Sequence, residues 1–231
     1  MSKIYIPSSS ADDWKGFLKD PEKHWKIGYS ARALAHCWTD ADGLPGEIAD
    51  LLATSDEPAL QKVEPLLIIP ELITPVAGKG EPPHSDVFVL GKASDKALVS
   101  ITIEGKVKES FGNNHSVATW KQKGNIENRA QRLSFLLEKL ALSETKADDV
   151  VYQLVQRTAS AVVEAGRFNA KYAVMIVQSF SLKDSHYEQF EKFVNAFNKS
   201  PKIGELVEIS TYNDIRIFVG WARGNEKYLN Q

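Results

Sequence analysis

The stretch 148–178 limits the folds open to this chain more than any other. Its first part sets Val151, Leu154, Val155, Thr158, Ala161, Val162 and Ala165 at helical spacing over a broad face, as a helix lying on a sheet requires. It runs directly into 172–178, a strand apolar enough to be buried on both faces, which is the condition of a strand inside a helix-covered sheet. The expected class is therefore α/β, with a central mixed sheet flanked by helices.

Residues 1–64 read as an N-terminal helical layer. Ser10, Ala11, Asp12 and Asp13 resemble a capping box that opens a short helix through Lys19; a second helix is predicted over 30–39, and shorter ones over 47–53 and 58–63. Trp14, Phe17, Trp25, Tyr29 and Trp38 are its expected core. From Leu66 the pattern turns to strands. A short run at 66–69 is bounded by Pro65 and Pro70, and a Gly/Pro-rich loop follows at 78–83. A run at 87–90, a turn at 91–96 and a longer strand at 97–107 then suggest a hairpin. A polar loop at 110–125 precedes a helix over 130–143, the helix 148–168, the strand 172–178, a helix over 184–198, and strands near 206–210 and 214–221. Residues 65–231 are thus expected to form the α/β core, in one compact unit with the layer before it.

Composition removes several classes. With 231 residues, 43% of them hydrophobic, the chain can bury a substantial core. No apolar run approaches the roughly 20 residues needed to cross a bilayer, and residues 1–10 lack the layout of a secretory signal, so the expected setting is cytoplasmic without a membrane partner. The single cysteine, Cys37, forms no internal disulfide and excludes a multi-cysteine zinc site. A net charge of −2 provides no global basic field, so any grip on nucleic acid must come from a local patch. Dinucleotide, Walker, serine-hydrolase and zinc-protease motifs are missing from the sequence.

Within 99–108, Val99, Ile101, Ile103, Gly105 and Val107 alternate with Ser100, Thr102, Glu104, Lys106 and Lys108, so Glu104 and Lys106 share a face. Any half-exposed strand alternates in this way, and a Glu/Lys pair is ordinarily solvated. Context adds weight: Asp86, a residue type depleted in strands, opens the preceding run, and a hairpin returns Glu104 to its side. Two carboxylates beside one lysine suit phosphodiester hydrolysis. Hard oxygen ligands hold Mg²⁺ or Mn²⁺, the cation offsets charge building on phosphate oxygens, and the lysine orients or deprotonates a water.

This set resembles the PD-(D/E)XK nuclease superfamily, which places an Asp on one strand and (Asp/Glu)-x-Lys on the next, with a helix upstream and helices downstream. The matching residues are Asp86, Glu104 and Lys106, and the resemblance covers about 71–178; the stretch 152–161 is similar in texture to bacterial proteins without an assigned function. Ser85 stands where a Pro commonly precedes the Asp. The resemblance implies a restriction-endonuclease-like core and catalytic roles for Asp86, Glu104 and Lys106. It also implies a Mg²⁺ or Mn²⁺ held by Asp86 and Glu104 with Glu71 as the upstream acid, and a helical glutamine, Gln153 or Gln156. The implied activity is a metal-dependent phosphodiesterase acting on DNA, less readily on RNA. The alternative is an inactive nuclease-fold module that binds a protein or nucleic-acid partner; a homodimer is compatible with either. In a third reading Glu104 and Lys106 are only a wet strand face.

Substrate contacts are expected from Lys108, Lys121, Lys123 and Gln153. Lys106, Lys108, Lys121, Lys123, Arg129 and Arg132 outnumber Glu104, Glu109 and Glu127, with Phe111 and Trp120 interleaved, a pattern able to grip a phosphate backbone and stack a base. A solvated loop anchored by one tryptophan is the plainer reading. Gln153, Arg157, Ser160 and Glu164 form a polar stripe that faces either the site or solvent. His84, two residues before Asp86, is placed to assist a metal or phosphate, whereas His24 and His36 read as structural.

Overall fold

The computed structural model describes residues 8–231; most of 1–10, read above as lacking a secretory signal, lies outside the described residues. The N-terminal layer opens with a 3-10 turn at Ala11–Phe17, in which the Asp13 carboxylate accepts from the Ser9 and Ser10 amides as a capping residue should. Helices follow at Pro21–His24 (α1), Ser30–Asp40 (α2) and Gly46–Ala53 (α3). Next come strands Glu64–Ile73 (β1), His84–Lys92 (β2) and Leu98–Lys106 (β3), then helices Val117–Lys121 (α4), Ile126–Leu140 (α5), Glu144–Ala147 (α6) and Tyr152–Arg167 (α7). Strand Tyr172–Ser179 (β4), helix Tyr187–Asn195 (α8) and strands Leu206–Tyr212 (β5) and Ile215–Arg223 (β6) complete the order.

The six strands make one mixed sheet in the order β1-β2-β3-β4-β6-β5. Pairing is parallel at β3–β4 and β4–β6 and antiparallel elsewhere. Each face buries its own core. On one side, Trp14, Leu34, Trp38, Ile48 and Leu51 of the N-terminal layer pack on Val87, Val99, Ile101, Ile103 and Val174. On the other, Leu133, Leu136, Val155 and Phe190 from α5, α7 and α8 pack on Ala173, Met175, Val219 and Trp221. The α/β class with a mixed sheet between helices is therefore present, and β4 is buried along its whole length. Among the described residues no helix is long and apolar enough to cross a membrane.

Several expected boundaries differ. Strand β1 runs through Pro65 and Pro70, which were expected to bound it; as an edge strand it tolerates missing amide donors, and a bulge lies between Pro65 and Leu67. The polar loop at 110–125 contains a 3-10 turn and α4. The helix expected from 148 begins at Tyr152, and the one expected over 184–198 spans only Tyr187–Asn195. Tyr29, expected in the core, is exposed.

The largest difference concerns the polar face of β3. It is not wet: α7 covers it, and Ser100 and Thr102 donate to the Ala161 and Arg157 carbonyls of that helix at 2.8 and 3.2 Å. Hydroxyls thus replace water as partners for the helix backbone. On the opposite face Gly105 gives α2 its close approach, since a Cβ there would stand 2.3 Å from Leu34 Cδ1.

Candidate active site

Three adjacent strands deliver three carboxylates to one end of the sheet: Glu71 near the end of β1, Asp86 near the start of β2 and Glu104 near the end of β3. Antiparallel pairing makes this possible, because the end of one strand lies beside the start of the next. Glu71 adopts a positive φ of 51°, a conformation that a non-glycine residue occupies only where surrounding structure holds it.

Glu104 is 2% exposed and fully engaged. Its Oε1 accepts from Lys106 Nζ at 2.5 Å and Gln153 Nε2 at 2.8 Å, and its Oε2 accepts from Arg157 Nε at 2.5 Å. Burial opposes ionisation, but the charges of Arg157 and Lys106 outweigh it and hold this carboxyl below the usual range. Lys106 is itself seated over the Phe111 ring, 4.8 Å from its centroid.

Asp86 accepts from the Gly105 amide at 2.8 Å. Burial and the nearby charge of Glu104 push its carboxyl up to about 7, against the pull of Arg157 and Lys106. Glu71 is pushed up to about 8, by burial first and by the charge of Asp86 second.

All three carboxylates, with Lys106, Gln153 and Arg157, line one cleft of about 740 Å³. They do not form a closed cage: among the described residues no three His, Cys, Asp or Glu side chains are gathered tightly enough to hold one ion. The donor chemistry nevertheless fits a hard divalent cation, which prefers carboxylate oxygens and would offset the burial and mutual repulsion that raise Asp86 and Glu71.

The expected site residues divide cleanly. Glu71, Asp86, Glu104, Lys106 and Gln153 are brought together, as is Gln156, whereas Lys108, Lys121 and Lys123 do not line the cleft. Lys121 is turned back onto Glu144 and Asp148 at 2.9 and 2.8 Å, Lys123 meets His115 Nε2 at 2.7 Å, and Lys108 is exposed. The loop 110–125 borders the cleft through Ser110, Gly112 and Trp120, but the two aromatic rings read as able to stack a base are already engaged. Phe111 is fully buried, and Trp120 stacks on Tyr152 at 3.7 Å while Arg129 lies 4.5 Å over its ring.

The polar stripe on α7 faces inward: Gln153 and Arg157 reach Glu104, and Ser160 and Glu164 are fully buried. His84 stands 3.8 Å from Glu71, and His24, in α1 of the N-terminal layer as expected, also borders the cleft. Arg157 was read only as part of the stripe; its spacing of four from Gln153 was the signal that both meet one partner. Arg129, Arg132 and Tyr152 also line the cleft, and no spacing rule pointed to their convergence.

A family model described as a domain of unknown function (DUF6946) matches residues 7–226, spanning both the helical layer and the sheet. No curated protein and no solved structure matches the chain significantly.

Proposed function

We propose that this chain, which belongs to the DUF6946 family, is a metal-dependent phosphodiesterase of the PD-(D/E)XK kind, acting on DNA and less readily on RNA in a cytoplasmic setting. The observation that carries this reading is the convergence of Glu71, Asp86 and Glu104 from three neighbouring strands with Lys106 and Gln153 in one cleft. Asp86 and Glu104 would hold Mg²⁺ or Mn²⁺, with Glu71 beside them. Such an ion supplies charge stabilisation on phosphate oxygens and acidifies a bound water. Lys106, fixed between Glu104 and the Phe111 ring, is positioned to donate to a water or to a phosphate oxygen. Gln153 orients the Glu104 carboxylate, and Arg157 supplies a second positive charge facing the substrate.

Incubating the purified protein with plasmid, linear and single-stranded DNA plus Mn²⁺ tests the reading. Cleavage is expected, with at least about a hundredfold loss in Asp86→Ala and Glu104→Ala; cleavage untouched by both substitutions would sink the assignment. A second reading, an inactive nuclease-fold module, is favoured by one observation: Arg157, Lys106 and Gln153 already satisfy both oxygens of Glu104 without a metal. That reading predicts no heat on calorimetric titration with Mn²⁺, whereas the phosphodiesterase reading predicts binding that Glu104→Ala abolishes.

A further inference from the structure

Another part of the cleft wall has the opposite character to the carboxylates. Asn128 and Arg129 of the first turn of α5, and Tyr152, the first residue of α7, form part of its lining. Helix N-termini favour anions through their free amides and dipole.

Two further observations point to a ligand. Tyr152 is 7% exposed, and among the described residues its hydroxyl has no hydrogen-bond acceptor, since the Arg132 guanidinium beside it can only donate. A buried phenol normally finds one, so this donor awaits an acceptor. Burial pushes the hydroxyl up to about 12, while the charge and hydrogen bond of Arg132, and then the charges of Arg129 and Arg157, pull the other way.

Among the described residues, neither Arg129 nor Arg132 has a carboxylate partner. Arg129 gives one amino group to the Trp120 carbonyl. Arg132, 6% exposed, donates to backbone carbonyls of the loop 77–81 and lies beside the neutral Tyr152 hydroxyl. Buried positive charge is usually matched by an anion, and here only neutral oxygens meet it.

We propose that this wall is an anion subsite that holds a phosphate group, with Arg129 and the Tyr152 hydroxyl as donors and the Arg132 charge behind them. Assigning that phosphate to a nucleic-acid strand rests on the phosphodiesterase reading; the subsite itself does not. A cleft lined by both carboxylates and guanidiniums suits a substrate carrying more than one phosphate, so the favoured class is an oligonucleotide and not a lone phosphomonoester.

Calorimetric titration of the full chain in EDTA tests this, first with inorganic phosphate, then with 5′-phosphorylated and 5′-hydroxyl single strands of one sequence. Phosphate is expected to bind the wild type. Tyr152→Phe should weaken it by about tenfold or more, the effect of losing a hydrogen bond to a charged group, and Arg129→Met by at least as much. Lys108→Ala, at an exposed position outside the cleft lining, should leave it unchanged. Tyr152→Phe keeps the ring that stacks on Trp120, so the result stays readable even if Arg129→Met fails to fold.

Absence of phosphate binding, or equal binding by wild type and Tyr152→Phe, overturns the subsite. Preference for the 5′-phosphorylated strand identifies its occupant as a strand end; equal binding of both strands, weakened in Tyr152→Phe, identifies an internal diester. A wild type that binds phosphate yet cleaves no DNA with Mn²⁺ would remove the proposed activity and leave the subsite standing.

Discussion

Glu104 is the residue about which the candidate site is organised, and its partners decide what it can do. A buried carboxylate with two cationic neighbours and an amide is stable only while the set is complete, because removing one partner strands charge in a poorly solvated place. Arg157→Met should therefore lower stability by roughly 3 kcal/mol, measured by urea unfolding. If Asp86 and Glu104 take a divalent ion, Mn²⁺ should restore more stability to this variant than it adds to the wild type, since the ion replaces the lost charge. An equal Mn²⁺ effect in both proteins would refute that substitution. Asp86, Glu104 and Lys106 were legible in the sequence because strand alternation fixes which side chains share a face. The lysines were not: nothing in the spacing of Lys121 or Lys123 shows that one turns back onto Glu144 and Asp148 and the other onto His115.

Strand β3 is squeezed between two helices, and each of its faces is specified differently. Toward α7, Ser100 and Thr102 spend their hydroxyls on helix carbonyls before Glu104 and Lys106 enter the cleft. Toward α2, Gly105 admits Leu34, whose Cγ would stand 2.9 Å from an added Cβ. Gly105→Ala should cost about 1–3 kcal/mol through overpacking, seen as a lower urea midpoint with an unchanged slope. A fully stable alanine variant would show that α2 can retreat. The hairpin β2–β3 and the buried β4 were readable from period and apolar content. The same pattern left the surroundings of β3 open, because alternation reports that two faces differ and not what covers the polar one. Loop 110–125 hid α4 for a related reason: a five-residue helix capped by Ser116 has too little apolar periodicity to register.

Across the whole molecule, the carboxylates give stability two opposed dependences on pH. Glu104, held low, contributes stability that is present above its unfolded value and is lost as pH falls through its folded one. Asp86 and Glu71 act in the other direction. A carboxyl raised on folding binds its proton more tightly in the native state, so its contribution is complete below an unfolded value of about 4 and is lost as pH rises through the folded one. With folded values of about 7 and about 8, the metal-free protein should lose stability steadily from the mildly acidic range up to about pH 8. A divalent ion at these oxygens competes with the same protons, so its stabilisation must grow over that window. Thermal unfolding in EDTA and in Mn²⁺ should therefore show a larger midpoint increase at about pH 8 than at about pH 5.5, and Asp86→Asn should flatten the EDTA curve. If the increase is the same at both pH values, the ion is bound elsewhere, and the raised carboxyls record only the burial of two acids between the helical layer and α7.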